Sequence, residues 1–221
     1  MTSLQIIQET LEIRDYLKRQ KDCVENPIDI LFNPVPPFCG KEEIKLIIIG
    51  QDPTIKNKKS RKNISCTLNF DKNGSLRTYA EKICAGLGIT MNNVYATNVF
   101  KYFYTQPPAY TGVLSKHVKE NLTLLKKEIA SYPDAVIITL GEPVLQLLVN
   151  AKVNYYWDYV KKTRKNTADY KKCGGVFKKC SAENELLKEF YPFPHQPSLR
   201  KDFYKDNLDN YLRYMKNDIL Q

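Results

Sequence analysis

The chain is poor in the features that announce common nucleotide and ester chemistries. Its nine glycines in 221 residues form neither a Gly-x-x-x-x-Gly-Lys loop to cradle phosphates nor part of a Gly-x-Ser-x-Gly elbow to present a serine, so a generic nucleotide-binding domain or α/β hydrolase lacks support. Six cysteines, Cys23, Cys39, Cys66, Cys84, Cys173 and Cys180, never make a Cys-x-x-Cys pair or join a histidine cluster. Neither a zinc site, a disulfide framework nor close-spaced iron–sulfur ligation is indicated, and free thiols in a reducing compartment are expected. No apolar run approaches the length of a membrane span. The first twenty residues mix Glu9, Glu12 and Asp15 with Ile6, Ile7, Leu11, Ile13 and Leu17, which predicts an amphipathic helix over 2–20 rather than a signal peptide, and a cytoplasmic protein. Acidic residues are also short: 24 against 34 lysines and arginines leave a net charge of +10. That field favours polyanions, with nucleic acid the leading partner class; the plain alternative is a solvated basic surface.

What the chain does have is an apolar run that stops abruptly. Ile44-Lys45-Leu46-Ile47-Ile48-Ile49 leads straight into Gly50-Gln51-Asp52-Pro53. A short unbroken Ile/Leu run suits a strand covered on both faces, as in a parallel sheet, and such sheets bind ligands beyond the carboxyl ends of their strands. Asp52 then stands at that crevice on a turn stiffened by Pro53. The plain alternative is a turn in which Asp52 caps the next helix.

Three more strands are expected: Asn93–Val99, Asp134–Gly141 and, as an edge strand because of its prolines, Phe190–Pro194. The proline-rich approach Asn33–Phe38 is extended or turned. Helical spacing marks Ser75–Gly86 and Val113–Ala130. Alternating strands and helices predict an α/β protein, a three-layer α/β/α arrangement about a central, mostly parallel four-stranded sheet, in one domain spanning 1–221. Each strand ends in a polar residue or glycine, which puts Asp52, Asn98, Gly141 and His195 on one rim. Two basic stretches lie outside this frame: Lys56–Lys62, and an aromatic-rich insertion at about 150–185. The second, with its interleaved aromatics, suits phosphate contacts and base stacking, or a surface loop with a hydrophobic foot.

These strand ends resemble the uracil-DNA glycosylase superfamily. Gly50-Gln51-Asp52-Pro53-Thr54-Ile55 is similar to its first motif, Gly-Gln-Asp-Pro-Tyr-His. Ser65-Cys66-Thr67-Leu68-Asn69-Phe70 looks like the strand that supplies a stacking aromatic, and Ser75-Leu76 like the start of the following helix. Val94-Tyr95-Ala96-Thr97-Asn98 resembles the segment ending in a base-reading asparagine. Ile137–Gly141 matches the glycine-ended third strand, and His195-Gln196-Pro197-Ser198-Leu199 the closing His-Pro-Ser motif. The resemblance covers roughly residues 30–200.

The resemblance implies a monofunctional DNA glycosylase that starts base excision repair by flipping out a deaminated base, uracil above all, and hydrolysing its N-glycosidic bond. It would work as a monomer with no metal or organic cofactor. Breaking that bond leaves a cationic sugar and an anionic base, so a carboxylate is needed near C1′ and donors at the base. Asp52 and His195 are the implied catalytic pair. Gln51, Phe70 and Asn98 would hold the base, with Leu68 or Asn69 as the register alternatives to Phe70. Ser75, Pro197, Ser198, Leu199 and Arg200 would meet the DNA, Leu199 as a wedge or else packed on the core. His117 is read as structural. Three departures, Thr54, Ile55 and Gln196, leave a different class open: a silent or redirected module that senses uracil-containing or modified DNA.

Overall fold

The structure, a computed structural model, describes residues 1–20, 27–108, 114–149, 179–195 and 208–219. Five strands form one sheet in the order β1-β3-β2-β4-β5: β1 (Phe38–Cys39), β2 (Leu46–Gly50), β3 (Val94–Asn98), β4 (Val136–Leu140) and β5 (Tyr191–Phe193). The four strands expected from sequence are the parallel ones. The fifth, β1, comes from the end of the proline-rich approach and pairs antiparallel with β3, Phe38 opposite Ala96. Two residues are too few for alternation to reveal a strand.

Every residue of β2 and β3 is buried, because helices cover both faces. The helices are α1 (Ser3–Lys18), the short α2 (Lys58–Arg61), α3 (Ser75–Leu87), α4 (Leu114–Ile129), α5 (Glu142–Val149) and α6 (Leu208–Ile219). Thr2 starts α1 with a capping box, its side chain accepting from Gln5 N–H and the Gln5 side chain accepting from Thr2 N–H. α1 packs on α4, and α3 on α6. Alternation along β3 sends Tyr95 and Thr97 toward α4, where their hydroxyls donate to Glu128 at 2.7 and 2.8 Å, and sends Val94, Ala96 and Asn98 to the opposite face. The result is the expected three-layer α/β/α arrangement. No described helix is long and apolar enough to cross a membrane.

Register fixes the rim. Gly50 pairs with Asn98, Ile49 with Thr139, and Leu140 with Phe193, so four parallel strands end level with one another. At the usual strand spacing the rim is about 14 Å wide from β3 to β5, enough for side chains from both ends to reach around one nucleotide. Cys39, Cys66, Cys84 and Cys180 are free thiols. Of the insertion at about 150–185, residues 150–178 lie outside the described residues, and so do Pro197, Ser198, Leu199 and Arg200.

Candidate active site

Asp52 follows β2 by two residues. Its Oδ2 accepts the backbone N–H of Thr54 at 2.9 Å, a short turn that Pro53 stiffens. Burial raises the carboxyl to a pKa of about 6, while the contacts of Thr54 and the charge of Arg61 pull in the opposite direction. Asp52 is therefore ionised at neutral pH yet close to its titration point.

Asn98 ends β3 and is buried. A Cβ placed on the neighbouring Gly50 would stand 2.4 Å from Asn98 Oδ1, so only glycine lets the amide lie across the end of β2. Asn98 Oδ1 and Gln51 Nε2 are buried with no hydrogen-bond partner among the described residues. Such groups are costly inside a protein unless a ligand or water completes them. An acceptor and a donor thus wait at adjacent strand ends.

The aromatic expected above them has no surface open to this place. Phe70 is wholly enclosed in the core, edge-on to Phe38 with ring centroids 5.7 Å apart. Leu68 is the side chain at this place: its Cδ2 would come 3.1 Å from a Cβ on Gly50. The cause is backbone, since Leu68 and Asn69 both take left-handed conformations, φ 60° and 52°, which turn the chain in a way strand periodicity does not anticipate.

His195 lies two residues beyond β5 and is half-buried. Burial lowers its pKa, leaving the imidazole neutral at pH 7. Its Cβ packs over Gly141, where an added Cβ would approach to 3.1 Å, and Gly141 has φ +99°. Ser75 is exposed at the first turn of α3.

Two buried ion pairs escape sequence reasoning. Lys101 Nζ lies 2.5 Å from Glu128 Oε1 and donates to the carbonyl of Asn98 at 2.9 Å, bracing the end of β3 from beneath. Arg61, inside the basic Lys56–Lys62 stretch, is buried rather than available to DNA. Its guanidinium donates to Asp29 at 3.2 Å and to the carbonyls of Tyr104 at 2.6 Å and Ile55 at 3.0 Å. Lys56, Lys58, Lys59 and Lys62 of the same stretch are exposed. A lysine within the aromatic run Phe100–Tyr104 was the one available signal of buried charge. His117, as read from sequence, belongs to the frame: it is buried, stacks on Tyr104 at 6.0 Å and contacts its hydroxyl at 3.3 Å.

No group of three His, Cys, Asp or Glu among the described residues is placed to hold a metal ion. What the rim offers is a carboxylate, a neutral imidazole and an unsatisfied amide pair, drawn from the ends of three of the four aligned strands. No curated protein sequence matches the chain. A family model of the uracil DNA glycosylase superfamily does match, over residues 36–216. That span runs from the approach to β1 into α6, beyond the reach of the sequence motifs, and takes in each of these strand ends: the chain belongs to the uracil DNA glycosylase superfamily.

Proposed function

We propose that this chain is a DNA glycosylase that flips out a deaminated base, uracil first, and hydrolyses its N-glycosidic bond. Family membership supports a glycosylase-type activity on DNA; the finer reading rests on the Asp52 carboxylate, ionised and partly desolvated, sharing a rim with the neutral imidazole of His195. As the C1′–N bond breaks, its electron pair leaves with the base and positive charge builds on the sugar. Asp52 stabilises that charge and orients the water whose oxygen bonds to C1′, the water's proton passing to the carboxylate or solvent. His195 donates an N–H to the base oxygen where negative charge gathers, a role that a neutral ring performs.

Base reading follows from the amide. Asn98 Oδ1 accepts from uracil N3–H and its Nδ2 donates to O4, a pattern that cytosine mismatches. Gln51 Nε2 offers a further donor, and Leu68 takes the covering place expected of Phe70. Ser75 and the exposed lysines of residues 56–62 are the DNA contacts among the described residues, with Pro197, Ser198, Leu199 and Arg200 completing the set. Thr54, smaller than the family's tyrosine, leaves room at the pyrimidine 5-position, so 5-substituted uracils are substrates as well.

The test is base release by the purified protein from single- and double-stranded oligonucleotides carrying uracil, thymine opposite guanine, hypoxanthine or 5-substituted uracils. Asp52→Asn and His195→Ala each lower release by about 10²-fold or more, because each removes stabilisation used in the transition state. Near wild-type rates in both would sink the assignment. Salt-sensitive DNA binding with no release from any substrate would move the reading to a DNA-sensing module.

A further inference from the structure

Thr54 stands where the family motif has tyrosine, and its contacts run toward the carboxylate. Its hydroxyl oxygen accepts the backbone N–H of Tyr104 at 2.8 Å, and its own N–H donates to Asp52 Oδ2 at 2.9 Å. With one lone pair taken by Tyr104, the hydroxyl keeps its proton free to donate. The Thr54 side chain and backbone both act to favour the charged form of Asp52.

The donor side is rigid. Tyr104 is fully buried, its carbonyl takes the Arg61 guanidinium at 2.6 Å, and its ring stacks on His117 at an interplanar angle of 11°. Arg61 in turn holds the carbonyl of Ile55, next to Thr54, at 3.0 Å. The loop after β2 is thus pinned to the segment after β3 through Thr54 and again through Arg61. A tyrosine at position 54 has no oxygen on Cβ to receive the Tyr104 amide.

We propose that Thr54 is a positioning residue: clasped by the Tyr104 amide, it orients and sustains the Asp52 carboxylate with its own N–H and hydroxyl, a task apart from excluding bases. This rests on the glycosylase reading for its kinetic consequence, though not for its structural one. The other groups that bear on Asp52 are Arg61 from α2, and Tyr102 and Tyr104 from the segment after β3. His117 of α4 stands behind Tyr104. Burial keeps both tyrosines and His117 uncharged at neutral pH, and His195 at the end of β5 is neutral as well. Arg61 then supplies the only other charge in this set.

Two measurements on Thr54→Val and Thr54→Ser decide it: the titration of the Asp52 carboxyl by ¹³C NMR, its signal assigned by its absence from Asp52→Asn, and the pH profiles of kcat and KM on uracil DNA. In Thr54→Val the Asp52 midpoint rises by roughly one unit. Its kcat falls about tenfold at pH 5 and about twofold at pH 7, recovers toward pH 9, and KM stays near the wild-type value; Thr54→Ser restores the wild-type midpoint. An unchanged midpoint in Thr54→Val, or a loss of kcat that is equal at every pH and shared by the serine variant, overturns the inference. Should Thr54→Val fold poorly, Thr54→Ala is read by the same measurements. A wild-type protein that releases no base while its Asp52 midpoint still responds to Thr54→Val refutes the glycosylase reading and leaves this inference standing.

Discussion

The two halves of the rim are held by different forces. On the Asp52–Asn98 side the functional groups are anchored by buried charge: Arg61 with Asp29 under the Asp52 loop, and Lys101 with Glu128 under the end of β3. On the Gly141–His195 side the anchoring is packing and steric fit, helped by one hydrogen bond. Phe193 of β5 packs on Tyr211 of α6 with ring centroids 4.5 Å apart, the Tyr211 hydroxyl donates to the carbonyl of Pro192 at 3.0 Å, and His195 rests on a glycine. Buried ion pairs tolerate little loss of either partner, because the survivor is a stranded charge. Packed contacts fail more gradually, with volume. Position is thus secured by direction on one side and by space on the other.

Breaking the charged side gives the largest effect on the fold. Lys101→Met leaves Glu128 buried without a counter-charge, and costs about 3–5 kcal/mol of stability in urea unfolding; adding Glu128→Gln in the same chain recovers much of that loss. If the single variant unfolds like wild type, the anchoring argument for β3 is wrong. Next, Gly141→Ala places a Cβ 3.1 Å from that of His195 at φ +99°, costing about 1–3 kcal/mol in strain and crowding. It lowers base release beyond what its thermal shift explains, since His195 must move. A variant with intact activity would show that His195 does not depend on this contact.

The last effect, similar in size to the second, sharpens the contrast by reversing sign. Asp52 titrates at about 6 when folded, above its ordinary 3.8. The folded state therefore binds this proton more tightly than the unfolded chain, and stability is lost as pH rises from about 4 through 6. Asp52→Asn removes that penalty and raises stability at pH 7 by about 1–3 kcal/mol, with the gain vanishing near pH 3.5. Thermal melts at the two pH values measure it. For the same reason base release in the wild type climbs with pH through about 6, as Asp52 ionises; a pH-independent rate between 5 and 8 would contradict its role.

The sequence was readable where local pattern carries the information. The run ending at Gly50, the strand ending at Asn98 and the glycine at 141 each combine a buried apolar period with a polar stop, and the structure keeps all three. The covering side chain was readable only as a choice among Phe70, Leu68 and Asn69. Two successive left-handed residues, neither of them glycine, rotate the chain so that Leu68 comes to Gly50 and Phe70 turns into the core. Arg61 was hidden by its company, since a run of lysines reads as a solvated face. Lys101 was hidden by distance: its partner Glu128 lies in α4, and only the folded sheet brings them together. α5 and α6 lie outside the elements expected from sequence, although Pro143 near the start of α5 and the buried Tyr211, Leu212 and Met215 of α6 follow ordinary helix chemistry.

The sheet's borders bear on self-association. β1 is two residues long, and β5 is three residues long with Pro192, which has no N–H, in its middle. An exposed edge recruits another strand by offering a ladder of free donors and acceptors. Among the described residues one border is too brief for such a ladder and the other lacks a donor at its centre. Among the described residues, both borders thus discourage growth of the sheet by strands from further copies, and the side chains at the strand ends remain its natural meeting place with other molecules.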